Sequence, residues 1–457
     1  MSQASQKHPG SFRDPAGFIF QKNGILYRQV NKSFEASFDA FEKSGACQKF
    51  IDKNWLIPHQ RIAENLTGDS EAALFLQPER LPFISYPYEW SFDMLRDAAL
   101  LTIQLAENCL EYNLQLKDAT PYNIQWKNGK PLFIDSLSFE PLRPGPWIAY
   151  RQFCESFLAP LLLMHNNKQH LPELLKAWPD GMPLATVASM LPWRSRFSIH
   201  TYLHIHMQAK MSKKTTGKNP STEGFGKDKL KRIFLSLKTL VQSLKTPDSK
   251  TEWADYYEEA GQRGEYLLAK QALVKQWIRE MSEIKQVLDL GANEGAFTEI
   301  AVANNLDVIA ADIDPECINR LYLQGKKQQH PQVTPLVQDL SWPSPGMGVN
   351  NQERSSFLSR ARGDLAMALA LIHHLAIHKK MPFDSIRDMF LPMAPQLIIE
   401  FVPAEDEKAA LLLNRLEGLK PAYTQERFEH SFLQSYEIHK KANIAGSSRI
   451  LYWLSRK

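Results

Sequence analysis

The sequence contains little cysteine and no long apolar run. Only 4 of its 457 residues are cysteine, and they are widely separated, at Cys47, Cys109, Cys154 and Cys317. This spacing excludes a disulfide framework and a cysteine metal pair, and it suits a reducing cytoplasm. We therefore predict that the four thiols are buried as small apolar side chains. The most apolar stretch, FLAPLLLMH at 157–165, is too short to span a bilayer and predicts a buried helix.

The chain also lacks a strong net charge. A formal charge of +4 over 457 residues is too small for a chain-wide basic field that binds nucleic acid nonspecifically. The first residues lack the apolar segment of a secretory signal, and no transmembrane segment is predicted, so we expect a cytoplasmic protein. A hydrophobic content of 44%, with 10 Trp and 24 Phe, favours sizeable cores, and the length favours two domains.

The composition changes between residues 210 and 250. The first half of this segment is rich in Lys, Ser, Thr and Gly and predicts a linker. The second half spaces its apolar residues as a basic amphipathic helix does. Packing of this helix on one domain is one interpretation, and binding to nucleic acid or an anionic membrane surface is the other. We predict an α+β domain at 1–209, the basic linker and helix at 210–250, and an α/β domain at 251–457.

The C-terminal part alternates strands with helices. The predicted strands are QVLDL, DVIAAD, VTPLVQD, DLAMALAL and QLIIEFV. Because each is apolar nearly throughout, they should form a parallel sheet that is covered by helices on both faces, which is an α/β, Rossmann-like fold. The last residues offer two further strand-like runs around a glycine turn, and these predict a hairpin that closes the sheet.

A glycine-containing turn follows the first of these strands. Gly291 and Gly295 lack the Cβ that would hold a ligand away from the backbone, and they tolerate positive φ. Asp312 ends the second strand, where a carboxylate is placed to accept hydrogen bonds from ribose hydroxyls. Asp314 is a nearby competitor, but it precedes Pro315 and is better placed to cap the following helix.

The same turn lacks the middle glycine of the dinucleotide fingerprint. Asn293 stands at that position, and Glu294 would bring negative charge towards a phosphate. A positively charged ligand without phosphate therefore fits the turn better than a dinucleotide.

The stretch DLGANEG resembles the first motif of class I S-adenosylmethionine-dependent methyltransferases, in the variant in which Asn replaces the middle glycine. The resemblance extends from about Trp253 to the C-terminus and implies a seven-stranded sheet and S-adenosyl-L-methionine as cofactor. The cofactor residues that it implies are Asp289 under the methionine end, Gly291, Asn293 and Gly295 in the turn, Asp312 at the ribose, and Asp339 and Leu340 at the adenine. For Asp339, the residues alone favour a turn or helix cap equally.

The fourth strand of this family leads to the reacting methyl group, and here it is followed by His373 and His374. Methyl transfer is an in-line displacement, and a neutral imidazole near the acceptor could take up its proton. The alternative is that one histidine packs or caps the next helix. His374 and His378 have the spacing of a helical metal pair, but no third ligand is evident, so no metal is predicted.

Two further features bear on the acceptor. The family's Asn/Asp-Pro-Pro-Tyr/Phe signature is absent after this strand, which favours an oxygen or carbon acceptor over an amine, in an unidentified small molecule or macromolecule. An aromatic cluster precedes the first helix and either covers the cofactor, as the resemblance implies, or packs the sheet. Its members are Trp253, Tyr256, Tyr257 and Tyr266.

The N-terminal half contains a second motif, LKDATPYNIQWKNGKPLFID. Asp118 and Asn123 have D-x-x-x-x-N spacing, and Asp135 ends an apolar strand. The motif resembles the catalytic and metal-binding loops of the protein kinase-like and aminoglycoside phosphotransferase-like fold. The resemblance implies a base position at Asp118 and Mg²⁺ positions at Asn123 and Asp135, with Mg-ATP bound if this domain is active.

The departures from that family are large. No Gly-rich phosphate loop precedes ILYRQV, no V-A-I-K-like lysine is present, and Lys117 replaces the usual Arg or Gly. A kinase-like fold without kinase activity is therefore favoured. The whole sequence predicts a methyltransferase with an N-terminal domain that selects a substrate or partner. The alternatives are a kinase-like phosphotransferase with a nucleotide-binding C-terminal domain, and a noncatalytic binding module.

Overall fold

The protein divides into two compact units. The computed structural model describes residues 6–171, 173–212, 225–246, 264–414 and 422–457. The first unit comprises Met1–Ser249 together with Gly346–Arg354, and the second comprises Lys250–Pro345 and Ser355–Lys457. Each unit has its own sheet.

The first unit is built on a five-stranded antiparallel sheet with the order β1-β2-β3-β5-β4. Two shorter antiparallel pairs, β6 with β9 and β7 with β8, follow it. The strands are β1 (Gln6–Lys7), β2 (Gly17–Lys22), β3 (Ile25–Asn31), β4 (His59–Ile62), β5 (Ala72–Pro78), β6 (Leu114–Leu116), β7 (Ile124–Lys127), β8 (Lys130–Phe133) and β9 (Phe139–Pro141). Asn128 and Gly129 join β7 to β8 with φ of 53° and 68°, as a two-residue hairpin turn requires.

The helices of the first unit surround a core rich in phenylalanine. They are α1 (Lys32–Lys43), α2 (Ala46–Asp52), α3 (Phe92–Cys109), α4 (Tyr150–Phe153), α5 (Ala159–Asn167), α6 (Leu174–Ala177), α7 (Leu184–Met190), α8 (Ile199–Thr201), α9 (Gln208–Ser212) and α10 (Lys227–Ser243). The stretch predicted as a buried helix forms α5 and the π-helical turn Cys154–Leu158 before it, and Ala159–Met164 are buried.

Helix α10 confirms the predicted basic amphipathic helix. It buries Leu230, Phe234 and Leu237 and packs against α3 of the same unit. Its Lys229 and Lys231 are exposed. The interpretation of a helix packed on one domain is therefore confirmed, whereas binding of nucleic acid or a membrane surface by its exposed lysines stays a prediction.

The second unit contains a seven-stranded sheet with the order β12-β11-β10-β13-β14-β16-β15. The strands are β10 (Gln286–Leu290), β11 (Asp307–Asp312), β12 (Val333–Val337), β13 (Leu365–Ala368), β14 (Gln396–Phe401), β15 (Tyr436–Asn443) and β16 (Ile450–Arg456). Strands β10 to β14 pair in parallel, and the closing hairpin joins them through antiparallel β16. The predicted parallel sheet with a closing hairpin is confirmed.

Helices cover both faces of this sheet, as its continuous apolar strands require. They are α11 (Gly264–Glu280), α12 (Thr298–Val302), α13 (Pro315–Gln328), α14 (Phe357–Arg360), α15 (Phe383–Phe390), α16 (Glu407–Asn414) and α17 (Gln425–Phe432). A core cluster joins the central strands to α11, with Val287, Leu365 and Val274 fully buried. The parallel strands all end at one edge of the sheet, which we call the carboxyl edge.

Two further predictions concern the cysteines and the apolar helices. All four cysteines are buried and unbridged, as predicted. Within the part of the chain that the structure describes, no helix combines the length and the apolar character that crossing a bilayer demands.

Candidate functional site

The turn after β10 is hydrogen-bonded to the end of β11. Gly291 and Ala292 donate their backbone N–H groups to the carbonyl oxygen of Ala311, at 2.8 and 3.1 Å. Asn293 donates its backbone N–H to Asp312 Oδ2 at 2.8 Å. The tertiary structure thus brings the glycine turn and the predicted ribose carboxylate into direct contact at the carboxyl edge.

Both glycines of this turn adopt conformations that disfavour other residues. Gly291 has a φ of 81° and Gly295 a φ of 88°. A Cβ on Gly291 would lie 3.4 Å from Leu371 Cδ1, and one on Gly295 would lie 2.5 Å from Leu321 Cδ1. The turn therefore leaves room for close approach only while both positions lack side chains.

Gly295→Ala is expected to destabilise the protein by about 2 kcal/mol or more, because it combines left-handed strain with overlap against a buried leucine. Thermal unfolding checks this. The control is Gly325→Ala in α13, where the nearest atom to the new Cβ would be 4.0 Å away and φ is not positive. That control should gain about 0.5–1 kcal/mol, since alanine favours helix. Equal effects of the two substitutions would contradict the steric argument.

Asp312 is the acceptor at the centre of the site. Its two oxygens accept backbone N–H groups from Asn293 and from Asp314, at 2.8 and 2.9 Å. Burial raises the pKa of its carboxyl to about 6, with Asp314 adding repulsion. Each oxygen keeps a further lone pair for a hydroxyl donor.

Asp314 does not compete for this position. It is the N-cap of α13, and its Oδ1 accepts from the backbone of Glu316 and Cys317. The sequence-based choice of Asp314 as the cap is confirmed.

Asp289 and Asn293 accept hydrogen bonds from other residues in and next to the turn. Asp289 is buried, its Oδ2 accepts from Thr298 Oγ1 at 2.7 Å, and burial raises its pKa to about 6. Asn293 has a φ of 50°, and its Oδ1 accepts from the backbone N–H of Glu294 at 2.7 Å. Asn293 therefore tolerates the left-handed position at which the family's middle glycine stands.

Asp339 and Leu340 follow β12 at the same edge. Asp339 Oδ1 accepts from the backbone and hydroxyl of Ser341, and its Oδ2 pairs with Lys379 Nζ at 3.2 Å. Burial raises the pKa of Asp339, but these hydrogen bonds outweigh it and lower the pKa overall. Leu340 is buried. Asp339 thus serves as a turn acid in this structure, and its adenine role stays a prediction.

The two predicted catalytic histidines lie next to each other at the end of the loop after β13, with their rings tilted by 41°. Their ring centroids are 4.0 Å apart. His373 is 1% exposed, its Nδ1 has no hydrogen-bond partner among the described residues, and burial holds its pKa well below the ordinary value. Burial also lowers the pKa of His374 to about 4. Both rings are neutral at pH 7, and His374 is a weak base, so their catalytic role stays a prediction.

His374 and His378 lie at the two ends of a π-helical turn. Across the described ranges, no group of three or more His, Cys, Asp or Glu side chains is arranged to hold a metal ion.

A buried ion cluster at the carboxyl edge was missed by the sequence-based prediction. Glu400, on β14, has no exposed surface and pairs with Lys270 Nζ at 2.9 Å and with Arg449 Nη1 at 3.3 Å. Arg449 also holds Asp406 through two of its nitrogens, at 2.8 and 3.1 Å. The sequence signal for this cluster was Glu400 itself, an acid within the apolar run QLIIEFV. Strands of a parallel sheet that is covered on both faces rarely carry charged side chains.

Tyr266 joins this cluster. Its hydroxyl donates to Glu400 Oε1 at 2.6 Å and accepts from Lys270 and Arg449. It is buried against the sheet rather than exposed. The other members of the predicted aromatic cluster, Trp253, Tyr256 and Tyr257, lie outside the described residues.

The two cations of the ion cluster keep Glu400 deprotonated. Burial alone would raise its pKa, but Lys270 and then Arg449 outweigh burial and lower the pKa to about 2. A lowered carboxyl pKa stabilises the fold above the ordinary value of 4.5, and that contribution is lost as the pH falls from 4.5 towards 2. Glu400 is therefore ionised throughout the neutral range.

The kinase-like residues also come together, within the first unit. Asn123 hydrogen-bonds Asp118, and burial, with the nearby charge of Asp135, raises the pKa of Asp118. Asp135 Oδ1 pairs with Arg28 Nη1 at 2.6 Å, and its Oδ2 accepts from Ser138 Oγ. Because the guanidinium of Arg28 already pairs with Asp135, a Mg²⁺ ion bound to this carboxylate would meet the repulsion of a neighbouring cation.

Comparisons with known proteins match the chain over different shares of its length. No protein-family model matches the chain. The chain is similar to nodulation protein NoeA of Rhizobium meliloti (strain 1021), with 31% identity over 461 residues, covering 98% of this chain and 95% of that protein.

Solved methyltransferase structures match part of the chain. Magnesium protoporphyrin IX methyltransferase (ChlM) from Synechocystis PCC 6803 with bound SAH is 16% identical, with a TM-score of 0.30, over 42% of this chain and 84% of that one. The N-methyltransferase NodS from Bradyrhizobium japonicum WM9 is 14% identical, with a TM-score of 0.31, over 42% and 96%. These values are low, so the assignment of the fold depends on the strand order and on the turn.

The second unit has the fold of class I methyltransferases, because its seven strands and closing hairpin follow the arrangement that the sequence motif implied. Its carboxyl edge also fits the cofactor. Gly291 and Gly295 give the turn its positive-φ conformation without side chains, and each oxygen of Asp312, which is hydrogen-bonded to that turn, keeps a lone pair for a hydroxyl donor. A sulfonium ligand that carries ribose hydroxyls and no phosphate matches these features.

Proposed function

Because the chain belongs to the family of nodulation protein NoeA and its second unit has a class I methyltransferase fold, we propose that it is an S-adenosylmethionine-dependent methyltransferase. The observation that carries this proposal is the glycine turn hydrogen-bonded to Asp312 at the carboxyl edge. When bound, the cofactor supplies a methyl group on a positively charged sulfur, which a nucleophile attacks in line.

The chain's own residues perform the binding. Asp312 accepts hydrogen bonds from the ribose hydroxyls, and the backbone of the glycine turn lies against the ligand. Ile313, 46% exposed directly after Asp312, offers an apolar surface of the kind that a flat base contacts.

Binding of S-adenosylmethionine or S-adenosylhomocysteine to the full chain, measured by isothermal titration calorimetry, tests this proposal. NADH and ATP serve as competing ligands. Binding of NADH, with no affinity for S-adenosylmethionine, would overturn the proposal, because the two cofactors require different turns.

The affinity for S-adenosylhomocysteine should depend on pH through Asp312. The ionised carboxylate accepts both ribose hydroxyls, whereas the protonated form loses an acceptor. With a pKa of about 6, the ionised fraction rises as the pH rises from 5 to 7. We therefore expect affinity to increase about tenfold over that interval. Calorimetry at both pH values checks it, and Asp312→Asn should flatten the dependence. An equal slope in that variant would assign the titration to another group.

For the acceptor, we propose an oxygen or carbon nucleophile. The loop after β13 carries Ala370, Leu371 and Ile372 where an amine-binding signature would place an amide or carboxylate. The neutral rings of His373 and His374 follow. Transfer of a labelled methyl group to phenols, polyols or carboxylates, and not to amines of similar size, is the expected outcome. Transfer to amines alone would contradict it.

We further propose that the first unit selects the substrate or partner. The engagement of Asp135 by Arg28 and Ser138 supports binding rather than phosphoryl transfer. The full chain should therefore show no tight Mg²⁺-dependent binding of ATP. Such binding, if it were lost in Asp135→Ala, would instead support the phosphotransferase alternative.

A further inference from the structure

The loop after β13 begins with a strained residue. Ala370 has a φ of 49°, in the left-handed region that residues with a Cβ seldom occupy. Such strain persists only where the surroundings hold the backbone, and it is concentrated at functional sites. We call Leu369–His374 the β13 loop; it begins directly beyond the strand that pairs with β10 and β14.

A buried carboxylate holds this backbone. Glu400 Oε2 accepts from the backbone N–H of Ala370 at 2.8 Å. The same carboxylate is held by Lys270, Tyr266 and Arg449, so it is a fixed acceptor. A hydrogen bond from a backbone N–H to a buried, ionised carboxylate is among the stronger ones in proteins.

The held loop lies beside the glycine turn. The residue after Ala370 is Leu371, whose side chain would lie 3.4 Å from a Cβ on Gly291. His373 and His374 end the loop. Glu400 thus holds the backbone of Ala370 directly, and the next residue, Leu371, lies beside Gly291, within van der Waals distance of the place that a Cβ would take there.

We propose that Glu400 is a positioning residue that fixes the β13 loop against the glycine turn and so sets the geometry of the methyl-donor site. This inference rests on the proposed function, because the turn positions a ligand only if it binds the cofactor. Glu400 has no exposed surface, and it acts through the backbone of Ala370.

The test is a double-mutant cycle on the full chain. In Glu400→Gln, a side-chain NH₂ replaces one acceptor oxygen and faces groups that are themselves hydrogen-bond donors, so the hydrogen bond from the Ala370 backbone is weakened. The affinity of this variant for S-adenosylhomocysteine should therefore fall about tenfold. Ala370→Gly adopts positive φ without strain and should leave the affinity of the wild-type protein within about twofold. The double variant Glu400→Gln, Ala370→Gly should recover most of the lost affinity, since glycine keeps the positive φ at position 370 without the hydrogen bond to Glu400.

The results of the cycle distinguish a failure of the positioning role from a failure of the proposed function. If wild-type protein does not bind S-adenosylhomocysteine, the proposed function fails. If wild-type binds and Glu400→Gln binds equally well, or if Ala370→Gly restores nothing, the positioning role is overturned. A purely structural role in the ion cluster would not be rescued by a glycine in the loop.

Stability provides a second readout if Glu400→Gln folds poorly. Glu400→Asp keeps the charge near Lys270 and Arg449 while shortening the reach to Ala370. Ala370→Gly should then raise Tm by more in either Glu400 variant than in wild type. Equal increments in all backgrounds would overturn the inference. Glu437→Gln, exposed on β15, is the matched control and should show no coupling to Ala370.

Discussion

Asp312→Ala is expected to lower the affinity for S-adenosylmethionine about 100-fold or more. In the proposed site this carboxylate accepts the ribose hydroxyls, and hydrogen bonds to a charged group contribute about 1.5–3 kcal/mol each. Loss of two such bonds corresponds to at least two factors of ten in affinity. Asp312 also accepts a hydrogen bond from the backbone N–H of Asn293, so the variant loses this contact between the glycine turn and β11. Titration calorimetry on the full chain measures the change.

Asp307→Ala is the matched control for this variant. Asp307 begins the same strand, is exposed, and lies at the opposite end of β11. Its removal should leave affinity unchanged. If Asp312→Ala binds as tightly as wild type, the cofactor does not use this carboxylate and the proposed site is wrong.

Arg449→Met should be the most destabilising of the substitutions considered. The guanidinium is 2% exposed and lies between the carboxylates of Glu400 and Asp406. Methionine fills similar space but leaves two buried carboxylates with too little positive charge. Breaking a buried ion pair from one side costs about 3–5 kcal/mol.

Differential scanning calorimetry should show this loss as a lower unfolding temperature for one transition, by roughly 6–20 °C for a unit of this size. The control is Arg456→Met at the end of β16, the strand that follows Arg449, where the side chain is exposed. That variant should change Tm by little. Similar shifts for the two arginines would contradict the importance of the buried cluster.

Local patterns predicted most of the second unit. QVLDL and DVIAAD form β10 and β11 with the predicted bounds, because apolar runs bounded by turn residues favour buried strands. The helix that follows the glycine turn is short, since α12 covers only Thr298–Val302. The preceding residues belong instead to the turn, whose backbone is fastened to β11.

The candidate site was predictable only in part. Asp312 and the glycines could be placed because they end a strand or begin a turn, which are local properties. Asp339 could not be resolved between an adenine contact and a turn acid, since the outcome depends on Ser341 and on the distant Lys379. The histidines likewise looked like bases by type, yet burial lowers their pKa values, and burial is a tertiary property.

The sequence by itself determined the strand and helix order, the glycine turn and the acid that faces it, because hydrophobic period and glycine conformation act over a few residues. Only the tertiary structure decided how Glu400, Lys270, Arg449 and Asp406 would meet. Tyr266 and Arg449 are 183 residues apart in the chain and hydrogen-bond directly. No local pattern encodes such a pairing, because a buried charge is stable only where folding brings its counter-ions. The same folding places Glu400 under Ala370, and thus holds the loop that faces the cofactor turn.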